Sequence, residues 1–227
     1  MGKKIRMLGM EIENFSLREE VMQSEDFYNR PQLNIIRTIS LKMLAEAADS
    51  QAVRDGMKQA DLLVAGDREI LTEAGIYSVQ RLKEVSGHEF MREFLSRVER
   101  CGHPVFLAAQ EAGDLKRLQH FIKTSYENMA VVGSYVLAEC GGDYDMAVNE
   151  INAADADILI SVLDCPQEDL FLQAAKDKIR ARVWYSLGNS YRRKEQKMSF
   201  TLWFRHLIHK GRFKNKIHRY EESNGEE

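Results

Sequence analysis

Cysteine and proline are scarce in this chain, at three each in 227 residues. Cys101, Cys140 and Cys165 are odd in number, widely spaced and outside any CxxC or Cys/His ligand pattern, which argues against both a disulfide framework and a zinc site. Reduced, partly buried thiols are expected. With so few prolines, 14 glycines, no low-complexity run and no internal repeat, nothing marks a flexible linker before the last stretch. No apolar run approaches the roughly 18 residues of a membrane-spanning helix, and the N-terminus MGKKIRMLGMEIENF holds no apolar segment of signal-peptide length, so the chain reads as cytosolic. GxGxxG and Walker A loops are absent as well, which argues against a dinucleotide site and a P-loop.

What is present is enough to fill a core: 44% of the residues are hydrophobic and 30% charged. The net charge of -3 conceals an asymmetry. Residues 1–191 hold 22 Lys and Arg against 30 Asp and Glu, whereas residues 192–220 hold ten Lys and Arg against Glu195 alone. The division predicted is an α/β domain over 1–191 and a basic appendage over 192–227.

Short apolar runs rich in β-branched residues recur at 33–39, 61–65, 104–109, 129–133, 157–163 and 182–187, and read as buried strands. Between them, Phe90, Phe94, Leu95 and Val98, then Leu115, Leu118, Phe121 and Ile122, then Leu170, Phe171, Ala174 and Ala175 fall at helical spacing. Alternation of this kind predicts a Rossmann-like α/β fold, with a largely parallel sheet covered by helices on both faces. Ligands of such sheets bind beyond the carboxyl ends of the strands, here after Thr38, Ala65, Ala109, Gly133, Leu163 and Leu187.

The opening LGMEIENFSLREEV, and the block VVGSYVLAECGGDYDMAVNEINAADADILISVLDCPQED, occur in an order that resembles the bacterial TagA/WecG/CpsF glycosyltransferases, glycosyltransferase family 26. In that family a short strand leads into the first helix, and a "vvG" strand runs through "Inas.pDil" to a "GxPxQE" loop. The resemblance implies inverting, metal-independent transfer of a hexose of N-acetylmannosamine type from a UDP-sugar to a polyprenyl-diphosphate-linked acceptor. It implies no cofactor. The setting would be teichoic acid, capsule or related cell-surface polysaccharide synthesis.

Carried over residue by residue, the family's T-x-N loop matches Thr38 and Ser40 as substrate-binding positions, with Ser in place of Asn. Both could equally cap the following helix. The family's general base, an Asp in a "PDG" or "ADG" turn, matches Asp67 with Gly and Asp exchanged. Asp67 could also cap the helix starting near Arg68. Gly133 of the "vvG" strand, and Gln167 and Glu168 of the altered proline loop CPQED, complete the substrate-binding set on this side. An acidic first turn after Pro166 is the other reading of that loop. The glycine-rich third loop keeps only Gly113, and the family's segment after the sixth strand is shortened.

In the tail, Phe200, Trp203, Phe204, Leu207 and Ile208 form one apolar stripe of an amphipathic helix with basic flanks. Such a helix suits an anionic membrane surface, placing the protein peripherally on the cytoplasmic face of the bacterial membrane, or it docks on the sheet. By similarity to the family tail, Arg205 and Arg212 are expected to meet the donor diphosphate. The acidic body argues against nucleic acid. The sequence leaves a homo-oligomer open, as it does a catalytically inactive relative that binds a nucleotide sugar or a partner.

Overall fold

The computed structural model describes residues 4–188, so the tail with Arg205, Arg212 and the expected amphipathic helix lies outside the described residues. The chain opens with a hairpin, β1 (Lys4–Met7) and β2 (Met10–Glu13), in which Ile5 pairs with Ile12 and alternate side chains are buried. Leu8 and Gly9 turn the corner with φ of 51° and 74°, the left-handed pair that a two-residue hairpin needs. One short strand is expected there from the sequence; the structure has two. Helix α1 (Leu17–Phe27) starts at a reciprocal cap, where Ser16 accepts from the Glu19 amide and Glu19 accepts from the Ser16 amide.

Strand β3 (Asn34–Ile39) leads through α2 (Leu41–Asp49) and α3 (Gln51–Lys58) to β4 (Leu62–Ala65). Helices α4 (Arg68–Glu73), α5 (Val79–Ser86) and α6 (Glu89–Cys101) precede β5 (Val105–Ala109), and α7 (Ala112–Ser125) precedes β6 (Val131–Val136). After a 3-10 turn come α8 (Asp145–Ala153), β7 (Ile158–Val162), α9 (Gln167–Ala175) and β8 (Val183–Ser186). The six strands from β3 onward form one wholly parallel sheet in the order β4-β3-β8-β7-β5-β6.

Both faces are covered, which is why the inner strands are apolar runs rather than alternating ones. On the first face Ile36, Leu107, Ile160 and Tyr185 pack with Phe27 of α1, Phe94 and Leu95 of α6 and Leu118 of α7. On the second, Ile35, Phe106, Leu159 and Trp184 pack with α8 and α9, and Ile39 and Leu63 pack with α2, α3 and the hairpin. The crossover helices α6 and α7, on connections that advance toward β6, cover the first face. Those on connections that retreat toward β4 cover the second, as a single crossover hand requires.

One strand boundary differs from the sequence expectation. β6 begins at Val131 and runs to Val136, so Gly133 lies inside the strand, not in a loop after it. A Cβ there would stand 2.6 Å from the Phe106 ring, so this glycine makes room for a core aromatic.

Candidate active site

The carboxyl ends of β3, β4, β7 and β8 surround an open, shallow cleft, with Thr38, Ser40, Gly66, Asp67, Cys165 and Gly188 among its walls. The place follows from topology, because the connection leaving β3 runs over one face of the sheet while that leaving the adjacent β4 runs the opposite way over the other, and such junctions bind ligands in open parallel sheets.

Gly66 sets the geometry. Its amide donates to the Ile39 carbonyl at 2.8 Å, and a Cβ would lie 2.7 Å from Thr38 Cγ2 and 2.8 Å from Ile39 O. Only glycine lets the chain leave β4 so close to the end of β3. Asp67 is thereby carried beside α2, where its buried Oδ2 accepts from the Leu41 amide at 2.9 Å. It holds the N-cap position of α4 yet makes no side-chain cap bond to that helix. The sequence reading of Asp67 as the cap of its own helix is therefore corrected: the carboxylate serves the N-terminal amide of the neighbouring helix, where the dipole favours negative charge. Ser40 caps that same helix, accepting from the Met43 amide at 3.2 Å.

The Thr38 hydroxyl bonds the Tyr185 hydroxyl at 3.0 Å, and both are buried. Phe90 and Phe94 meet the Tyr185 ring edge-on at 5.7 and 5.1 Å. Burial pushes the Tyr185 phenol well above its ordinary value, so its proton stays in place for that bond.

Cys165 closes the far wall, and behind it lies a cluster that the sequence reading missed. Arg37 of β3, 1% exposed, donates from Nη2 to Glu168 at 2.7 Å and from Nη1 to Asp169 at 2.7 Å. The carboxylates are 3% and 0% exposed. Burial, then Asp169 and Glu168, push the Cys165 thiol up, 3.9 Å from Arg37 Nη2. A Cβ on Gly56 of α3 would fall 2.0 Å from Asp169 Oδ1, so α3 comes this close only because it has no side chain there. The signal for the cluster was a lone arginine inside the apolar run LNIIRTI: a charge there requires partners.

On the other side of the sheet, Arg81 of α5 holds Glu84 at 2.7 Å and Glu20 of α1 at 3.1 Å. Burial outweighs the guanidinium's pull and pushes the Glu20 carboxyl up to about 7. Thr38 stands on the wall between this cluster's small cavity and the cleft.

Of the residues singled out from the sequence, Thr38, Ser40 and Asp67 meet in the cleft. Glu168 is behind its wall on Arg37, and Gln167 is exposed at the head of α9. Gly133 sits four strands from β3, roughly 19 Å at the usual spacing.

Residues 5–193 match the family model described as Glycosyl transferase WecG/TagA/CpsF family. No curated protein matches the chain.

Proposed function

From a chain that belongs to the WecG/TagA/CpsF glycosyltransferase family, whose members act in cell-surface polysaccharide synthesis, we infer an inverting, metal-independent transfer of a hexose of N-acetylmannosamine type from a UDP-sugar to a polyprenyl-diphosphate-linked acceptor. The observation that carries this reading is the carboxylate of Asp67, buried at the cleft and held by the Leu41 amide at 2.9 Å. A base fixed by a backbone amide stands still while an acceptor hydroxyl approaches it.

In the reaction the acceptor oxygen attacks the anomeric carbon from the face opposite the diphosphate. Asp67 takes the hydroxyl proton as the new C–O bond forms, and the bond to the diphosphate breaks with its electron pair leaving on UDP. Ser40 and Thr38 flank the sugar. Arg205 and Arg212 meet the diphosphate charge, as the family tail suggests. The basic tail brings the protein to the cytoplasmic face of an anionic membrane, where the acceptor resides. Among the described residues no helix is long and apolar enough to cross a membrane.

The test is UDP release on anionic vesicles carrying a polyprenyl-diphosphate-GlcNAc acceptor, with a panel of UDP-sugars. Acceptor-dependent release is expected, and Asp67→Asn should lower it by about 10²-fold or more with the fold intact. Vesicle and UDP binding with no release from any donor would instead support the non-catalytic relative.

A further inference from the structure

The first turn of α9, just after the proline of CPQED, carries two adjacent carboxylates next to a cleft that, on the functional reading above, must accept a nucleoside diphosphate. Unscreened, they would oppose it: a unit charge about 8 Å from another, at an effective dielectric constant of about 20, changes an affinity by more than about tenfold. Their actual placement removes the conflict. Glu168 Oε2 and Asp169 Oδ1 each lie 2.7 Å from a different Arg37 nitrogen. None of the three side chains is more than 3% exposed. The cleft wall is Leu163, Asp164 and Cys165, separated from them in the chain by Pro166 and Gln167.

We infer that Arg37 is a positioning residue for the donor cleft: it draws both carboxylates of the proline loop onto its guanidinium, turning their charge away from the bound diphosphate and fixing the Leu163–Cys165 wall against the end of β3. Arg37 acts through the loop and touches no substrate. Two features support a dedicated arrangement. Arg37 neighbours Thr38 in β3, so one strand supplies the cleft residue and the counter-charge on opposite faces of the sheet. Gly56 leaves the space that Asp169 fills from the α3 side. Arg37 stays charged at any working pH, since its two carboxylates hold it above an already high value despite burial.

The proposal rests on a nucleotide-binding cleft, so the experiment has one readout that needs nucleotide and one that does not. Calorimetric titration with UDP is run on the full chain and on Arg37→Met, Glu168→Gln and the triple variant Arg37→Met/Glu168→Gln/Asp169→Asn. In parallel, each carries Cys101→Ser, which removes the exposed thiol and leaves Cys140 buried. Cys165 is then labelled with a dianionic aromatic disulfide and a neutral dipyridyl disulfide, and the ratio of the two rates reports the charge felt at the cleft wall.

Arg37→Met should weaken UDP binding by about tenfold and lower the anionic-to-neutral labelling ratio several-fold, and the triple variant should restore both to within about threefold. Glu168→Gln alone should change either by less than about twofold, because Arg37 already holds that carboxylate away from the cleft; one guanidinium leaves the two carboxylates with a net charge of −1, so the small change should be toward tighter UDP binding. A folded Arg37→Met variant with an unchanged ratio, or a triple variant no better than Arg37→Met, would overturn the proposal. If Arg37→Met does not fold, Glu168→Gln decides: a tenfold change in labelling ratio or UDP affinity would place that carboxylate in the cleft and end the idea. A native chain that binds no UDP would sink the functional reading, while the labelling ratios still judge Arg37.

Discussion

Two arginines flank Thr38 from opposite sides of the sheet, each holding two carboxylates, and the clusters differ in how completely the protein encloses them. Around Arg37 all three side chains are at most 3% exposed and all lie between β3, α3 and α9. Around Arg81 the side chains are 4–10% exposed and join α1 to α5, with Glu20 raised to about 7. The first cluster is a fixed internal charge system in which a single arginine answers both carboxylates. The second has a member that can take up a proton near neutrality. The difference follows from position, since β3 is interior to the sheet while α1 and α5 meet near its β4 edge.

The largest way to break the comparison is Arg37→Met. It leaves two buried carboxylates unpaired, and the expected loss is about 3–5 kcal/mol of unfolding free energy in urea at pH 8. The neutral triple variant should recover more than half of it. If Arg37→Met costs under about 1 kcal/mol, the cluster is not the enclosed system described.

Glu20→Gln tests the looser cluster through pH. Glu20 is raised in the folded state from an ordinary value of 4.5 to about 7, so the folded chain binds its proton more tightly than the unfolded one. Its contribution is complete below about pH 4.5 and is lost as pH rises through about 7. Each pH unit of that gap is worth about 1.4 kcal/mol, so the native chain should lose on the order of 3 kcal/mol between pH 4.5 and 8 from this group. Glu20→Gln should remove that part of the slope, and its melting temperature should exceed the native value at pH 8 by more than at pH 5. Parallel pH profiles for the two proteins would show that Glu20 titrates normally.

The sheet was legible in the sequence because its strands are buried on both faces and so appear as β-branched runs; five of the six apolar segments fall on their strands within a residue or two. The sixth slipped because Gly133 looks like a strand end, and only the Phe106 ring across the sheet explains a glycine in mid-strand. The hairpin at Lys4–Glu13 was overlooked although KIRM and MEIE alternate about Leu8-Gly9. Thr38, Ser40 and Asp67 were found through their motif positions, and topology brings them to one cleft. The partners of Glu168 and Asp169 were not legible, because Arg37 lies about 130 residues away and no local spacing links them. The direction of the Asp67 carboxylate, toward α2 and away from its own helix, depends likewise on the close approach at Gly66.

Gly56→Ala disturbs the Arg37 cluster without changing a charge. In a helix this substitution ordinarily stabilises by up to about 1 kcal/mol. Here the added methyl would meet Asp169 Oδ1 at 2.0 Å, so the sign should reverse, with a loss of about 1–3 kcal/mol by urea unfolding. The corresponding change at Gly113, where the nearest atom is Arg117 Nη1 at 3.7 Å, should be neutral or stabilising. Equal effects at the two sites would mean that α3 can move off α9 freely, contrary to an enclosed cluster.

The smallest effect concerns the residue between the clusters. Tyr185→Phe removes the hydroxyl 3.0 Å from Thr38 Oγ1 while keeping the ring between Phe90 and Phe94, and should cost about 1 kcal/mol. Thr38→Val removes the other partner, and the double variant should lose less than the sum of the singles by about 0.5–1.5 kcal/mol. The same pair separates structure from transfer. If the Thr38 hydroxyl serves only Tyr185, Thr38→Val has no further effect on UDP release once Tyr185→Phe is present. If it also meets the sugar, Thr38→Val lowers turnover by a similar factor in either background. Additive stability losses would mean that the two hydroxyls do not bond, and that the wall between the clusters is held by packing alone.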